Sequence, residues 1–162
     1  MENHIIKPRN KTISSYEDIL DFQNNPFIFV DVGAAGNIMK QWKQISKNSI
    51  LIAFEPDKRS FPELKSRLKS FGKVYLFDKI VSNLNGKQTF YITKNPYCCS
   101  TLEPNHKILS QLSHGESYEV INKENITAIT LGEVCNELEI SYIDWLKLDS
   151  QGIDLRIIES LS

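Results

Sequence analysis

A chain of 162 residues with 19 basic and 20 acidic side chains is long enough to bury one substantial core, and its formal charge of -1 gives no electrostatic basis for nucleic acid as a partner. No apolar run reaches bilayer length and Met1 to Arg9 lack the apolar centre of a secretion signal, so the cytoplasm is the expected compartment and no membrane is expected as partner. Cys98, Cys99 and Cys135 are odd in number and lack metal-ligand spacing, so reduced thiols and no metal are expected.

Residues 1–25 read as a lead-in with one short helix through Ile19, Leu20 and Phe22, since Ser14 and Glu17 have capping-box spacing. A domain over residues 26–162 follows. Its first strand, Ile28 to Val32, is apolar and bounded by Pro26 and Gly33. A helix from about Asn37 carries Ile38, Trp42 and Ile45 on one face, which makes Trp42 a core residue. The second strand, Ile50 to Phe54, is nearly all apolar, as a central parallel strand should be.

The two strands end differently. Asp31 and the turn Gly33-Ala34-Ala35-Gly36-Asn37 close the first, and Glu55 closes the second. Strand, tight turn, helix, strand and carboxylate is the order by which an open parallel sheet builds a nucleotide cleft, with Glu55 at the height of a ribose diol. The turn lacks the third glycine of a dinucleotide fingerprint, and Asp31 is a poor neighbour for a pyrophosphate. An acid there suits a cofactor with a cationic amino-acid part, such as S-adenosylmethionine. By itself, a Gly-x-x-Gly turn is also compatible with a plain strand-to-helix connection.

The next helix has Ser60 as cap, Pro62 in the first turn, Glu63 at the capping-box position, Gly72 as stop, and an apolar face of Phe61, Leu64, Leu68 and Phe71. Its basic residues, Lys58, Arg59, Lys65, Arg67 and Lys69, read as a solvated face. Strand three, Val74 to Phe77, ends at Asp78, which suits either an adenine amino group or an ordinary turn. Lys79 to Thr93 reads as a hairpin-like excursion about Asn83-Leu84-Asn85-Gly86. Lys94 to Glu119 is irregular and long, the pattern of a lid or acceptor-facing loop, with His106 and His114 as solvated loop residues.

Ile126 to Thr130 is extended, and Thr130 with Glu133 forms a capping box for a helix over Leu131 to Leu138. Tyr142 to Asp149 gives strand four, then a turn with Gly152 and a helix from Ile153 to Leu161.

Four motifs in this order, Asp31-Val-Gly-Ala-Ala-Gly-Asn37, Ala53-Phe-Glu-Pro-Asp57, Val81-Ser-Asn-Leu-Asn-Gly86 and Ile143-Asp-Trp-Leu-Lys-Leu-Asp-Ser-Gln-Gly152, resemble the FkbM-type methyltransferases. The resemblance runs from about Phe27 to the last residue, and Cys99 to Asn105 is similar to the proline-bearing stretch between that family's third and fourth strands. Gly33-Ala-Ala-Gly36 departs from the commoner Gly-Ala-Asn-x-Gly, and Ser150-Gln151 stands where Val-Glu is more usual.

The resemblance implies an α/β, Rossmann-like class I methyltransferase fold, an open and mostly parallel sheet with helices on both faces. It implies S-adenosylmethionine as cofactor and O-methylation of a hydroxyl on a sugar, glycan or secondary metabolite. Carried over by motif, Asp31, Gly33, Ala34, Ala35, Gly36 and Asn37 would hold the methionine part. Glu55 and the adjoining Pro56 would lie at the ribose, Asp78, Val81 and Ser82 at the adenine, and Asp149 beside the methyl. Asp149 is the candidate catalytic residue, either as base for the acceptor hydroxyl or as partner of the cofactor's amino group. The second role is preferred, since a solvated carboxylate is a weak base near neutral pH.

Such a sheet needs further strands after the fourth, so the last strands are expected to be lacking, with strand four a bare edge through which chains could self-associate; a fragment of a longer product is the preferred expectation, ahead of strands supplied by another chain or a degenerate remnant. Beside the active enzyme stand a truncated, inactive cofactor-binding domain and, disfavoured by the glycine spacing, a domain of NAD type.

Overall fold

The computed structural model describes residues 25–161. The expected helix through Ile19, Leu20 and Phe22 lies outside them. In chain order the elements are β1 (Phe27–Val32), α1 (Lys40–Ile45), β2 (Ser49–Phe54), α2 (Phe61–Leu68), β3 (Lys73–Phe77), β4 (Ile80–Val81) and β5 (Gly86–Thr93). After these come α3 (His106–Leu109), β6 (Val120–Ile129), α4 (Leu131–Glu137), β7 (Trp145–Leu148) and α5 (Asp154–Glu159).

The main sheet is parallel in the order β3-β2-β1-β7. Its central strands are apolar on both faces because both are covered. Phe29, Leu51 and Ala53 pack against Trp42 of α1, Leu64 and Leu68 of α2, and Phe71. Ile28, Val30, Val32, Ile52 and Phe54 pack against Leu131 and Val134 of α4, Ile153 just before α5 and Ile157 on it. Trp42 is fully buried and stacks on Phe29 with ring centroids 4.8 Å apart, the core role expected of it. The structure is thus an α/β fold with a mostly parallel sheet and helices on both faces. Among the described residues β7 pairs with β1 alone and forms one edge, with β3 at the other. No helix among those residues is long and apolar enough to cross a membrane.

Several local expectations are corrected. The helix expected from Asn37 begins at Lys40, with Ile38 buried ahead of it. Ser60 stands at the start of α2 but its side chain caps nothing. The cap belongs one turn earlier, where Asp57 accepts from Arg59 N at 3.0 Å, and Glu63 pairs with Arg67 instead. Strand four is shorter than expected because Asp144, just before β7, turns its carboxylate to accept from Ile28 N at 2.8 Å.

The expected hairpin over Lys79 to Thr93 does not form. A separate sheet has the order β4-β6-β5, with β6 between the other two, parallel to β4 and antiparallel to β5. Eight residues of β5 find ten in β6, whereas β4 offers two. Ile80, Phe90, Ile92, Cys99 and Ala128 form its core. The segment between β5 and β6 is tied back to the sheet. Tyr91 and Ser100 exchange backbone hydrogen bonds of 2.8 and 3.3 Å, and Lys94 N donates to Glu119 O at 2.7 Å.

The cap of α4 forms with an addition. Thr130 Oγ1 accepts from Glu133 N at 3.2 Å, but the Glu133 carboxylate does not return to Thr130 N. Asn85 relays instead, accepting from Thr130 N at 2.9 Å and donating to Glu133 Oε1 at 2.6 Å.

Candidate cofactor cleft

The chain leaves β1 in one direction through β2 and β3, then returns to the opposite side of β1 as β7. That reversal makes a crevice at the carboxyl ends of β1 and β7, where open α/β sheets bind ligands. A cavity of about 220 Å³ opens there, walled by the turn after β1, the ends of β2 and β7, and the second sheet.

The turn is clamped. Gly33 N and Ala34 N both donate to Phe54 O at 3.1 Å, and Gly33 has φ of 74°. A Cβ on Gly33 would collide with the Asp149 carbonyl oxygen, so only glycine lets β1 turn against β7. Gly36 differs. It lines the cavity, and a Cβ there would meet nothing within 4 Å, so the protein's own packing does not require a glycine.

Glu55 is buried at the base of the cavity, 3% exposed. Its Oε2 accepts from Ala35 N and its Oε1 from Asp57 N, both at 2.8 Å. Burial pushes the carboxyl up to about 7, although those two N–H donors pull it back. Each oxygen keeps a second lone pair for a ligand donor.

Asp31 does not line the cavity. It is buried and paired with Lys147 Nζ at 2.8 Å, and the same ammonium donates to Gly33 O at 3.0 Å. Burial raises the Asp31 carboxyl and Lys147 offsets only part of that. The cation that the sequence suggested would come from a ligand is supplied by the chain.

Of the other expected residues, Ala35, Asn37, Pro56, Val81 and Asp149 line the cavity with Gly33, Gly36 and Glu55. Ala34 is buried in the core under α1 and α2. Ser82 accepts from Gln88 Nε2 at 2.9 Å, away from the lining. Asp78 is half-exposed, pairs with Lys58 at 3.6 Å, and is also outside the lining. Asp149 follows β7 and accepts from Gln151 Nε2 at 2.6 Å. Pro96, Tyr97, Cys99 and Thr101 bring the long segment after β5 into the wall.

Two arginines read as solvated turn inward. Arg67 Nη2 donates to Ala35 O at 2.7 Å and holds the glycine turn from behind. Arg59 Nη2 donates to Asp57 Oδ2 at 2.6 Å and to Thr93 O at 2.8 Å, joining the end of β2 to the second sheet. Burial pushes the Asp57 carboxyl up, but the hydrogen bonds from Arg59 outweigh it and hold it below the ordinary range. The Cys99 thiol sits against this pair, 3.5 Å from Asp57 Oδ2, and burial pushes it up, away from a reactive thiolate. Nothing in the sequence pattern separates these arginines from the lysines around them. Among the described residues no cluster of His, Cys, Asp or Glu could hold a metal ion.

The architecture defines an open α/β domain whose ligand cleft lies at the switch point and carries a buried carboxylate. The family model for the methyltransferase FkbM domain matches residues 31–162, and the chain belongs to that family of methyltransferases. No curated protein and no solved structure matches the chain.

Proposed function

We propose that the chain binds S-adenosylmethionine in this cleft, within a class I Rossmann-like fold, and transfers methyl to a hydroxyl oxygen of a sugar or small-molecule acceptor. The observation that carries the reading is the pairing of Glu55 at the base of one open cleft with Asp149 at the end of β7. A buried carboxylate with spare lone pairs suits a ribose diol, and an exposed carboxylate suits a cationic amino-acid end. The open space over Gly36 lets a flat ligand lie against the backbone.

When bound, the cofactor supplies a methyl carbon activated by a sulfonium and open to in-line attack by an oxygen. The residues of this chain hold the reactants near a line. Glu55 would take the ribose hydroxyls, Val81 would pack beside the adenine, and Asp149 would accept from the amino group of the cofactor. Tyr97 and Thr101, in the wall of the same cavity, would lie toward the acceptor.

Calorimetric titration tests the reading. S-adenosylhomocysteine should bind and NAD should not. Tight NAD binding with no response to the thioether nucleoside would overturn it.

A further inference from the structure

Among the described residues, Glu139 (φ 55°) and Gln151 (φ 57°) are the non-glycine residues with left-handed backbone, and Gln151 lines the cleft whereas Glu139 does not. Such backbone is costly and persists where the surroundings over-determine it. At Gln151 they do so visibly. Ser100 Oγ, on the segment after β5, donates to Gln151 O at 3.0 Å and accepts from Leu102 N at 3.0 Å. The strained turn directs the Gln151 side chain back over the preceding strand end, where its amide nitrogen meets Asp149 Oδ1 at 2.6 Å. An ionised carboxylate only accepts, so the carboxamide must present its donor there. The bond fixes the orientation of the carboxylate through Oδ1, and Oδ2 keeps both its lone pairs for a donor in the cleft.

We propose that Gln151 is a positioning residue: it fixes the Asp149 carboxylate so that Oδ2 faces the cationic end of the cofactor. The proposal rests on the S-adenosylmethionine reading of the cleft. A flexible carboxylate would have to be ordered when ligand binds, and a carboxylate already held is not charged that entropy. Strain and hydrogen bond belong to one device, since the first sets the direction of the second.

The experiment is calorimetric titration of S-adenosylmethionine and S-adenosylhomocysteine into the wild-type chain, Gln151→Gly and Gln151→Met, with thermal melts of each. Glycine suits the left-handed position better than glutamine, so Gln151→Gly should melt at the same temperature or higher while its affinity falls about tenfold, the scale of one hydrogen bond to a charged group. Gln151→Met keeps the length of the side chain and the cost of the left-handed backbone but has no donor for Asp149 Oδ1, so its affinity should fall as far as that of Gln151→Gly. Affinity that follows the donor, and not the backbone, marks the positioning role.

Wild-type affinity in Gln151→Gly would overturn the proposal. So would a melting temperature that falls in step with affinity, which marks a purely structural role, or wild-type affinity in Gln151→Met. A wild-type chain that binds neither ligand removes the cofactor reading itself and the positioning role with it. That failure shows in the wild-type arm alone.

Discussion

Asp31 and Lys147 are register partners across β1 and β7, and their side chains close the pair at 2.8 Å. The ammonium also takes Gly33 O, so one cation neutralises a buried acid and pins the glycine turn to β7, the strand that leads into Asp149. The pair is thus a joint between the two sides of the cleft.

Removing one partner should therefore cost more than removing both. Lys147→Met leaves the Asp31 carboxylate, 3% exposed, without its cation, and a loss of about 3 kcal/mol is expected from the uncompensated buried charge. Adding Asp31→Asn should return much of it, because the charge that suffered is gone. Urea unfolding midpoints of the two single variants and the double variant give the coupling. A Lys147→Met chain within about 0.5 kcal/mol of the parent would show that solvent already satisfies Asp31.

The two glycines of the turn should separate fold from ligand. Gly33→Ala meets both a φ of 74° and the Asp149 carbonyl, so a loss of more than about 1 kcal/mol is expected. Gly36→Ala meets nothing, and its stability should stay within about 0.5 kcal/mol of the parent. Its methyl group points into space that the proposed ligand needs, so affinity for S-adenosylhomocysteine should drop without a change in melting temperature. Equal affinity would mean that the ligand does not lie against this turn.

The strand-and-acid rhythm was legible because β1, β2 and β3 each carry an apolar run, with Asp31 one residue inside the end of β1 and Glu55 and Asp78 directly after β2 and β3. Pattern alone could not rank those carboxylates. Asp31, Glu55 and Asp78 look alike in sequence, yet of the three Glu55 alone lines the cavity, because Lys147 arrives from far along the chain to cover Asp31 and Asp78 pairs with a surface lysine. The second sheet was illegible for a related reason. Its β4 has two residues, and Ile121 to Asn125 of β6 are exposed and mostly polar, so neither carries a periodic signal that names its partner. Arg59 and Arg67 share their composition with solvated neighbours, and only the approach of Thr93 and Ala35 gives them a role.

Asn85 supplies a cap that no local spacing contains. Its amide joins Thr130 N and Glu133 Oε1, and both bonds are solvent-exposed. Thr130 keeps its own cap in the variant, so Asn85→Ala should cost about 1 kcal/mol, the usual net worth of an intramolecular hydrogen bond. Because the same amide contacts Glu133, Asn85→Ala and Glu133→Ala should be non-additive by about 0.5 kcal/mol or more in thermal or urea unfolding. Strict additivity would show that the relay is two independent contacts.

Glu55 ties stability and binding to pH with opposite signs. Its folded-state carboxyl lies at about 7 against an ordinary 4.5, so between those values the folded chain keeps a proton that the unfolded chain has released. The resulting stabilisation is complete below the ordinary value and is lost as pH rises through about 7, an effect of ~3 kcal/mol. A ribose diol donates to the ionised form, so ligand favours the carboxylate that the empty cleft disfavours. Affinity for S-adenosylhomocysteine should therefore rise with pH up to about 7 and then level, with proton release on binding below that value. Titrations in buffers of different ionisation enthalpy read the released proton directly. Glu55→Gln should abolish both the release and the pH slope, and it should bind more weakly because an amide offers one acceptor to Ala35 N and Asp57 N, which now have two. A wild-type affinity that is flat across this range would mean that the diol is bound elsewhere.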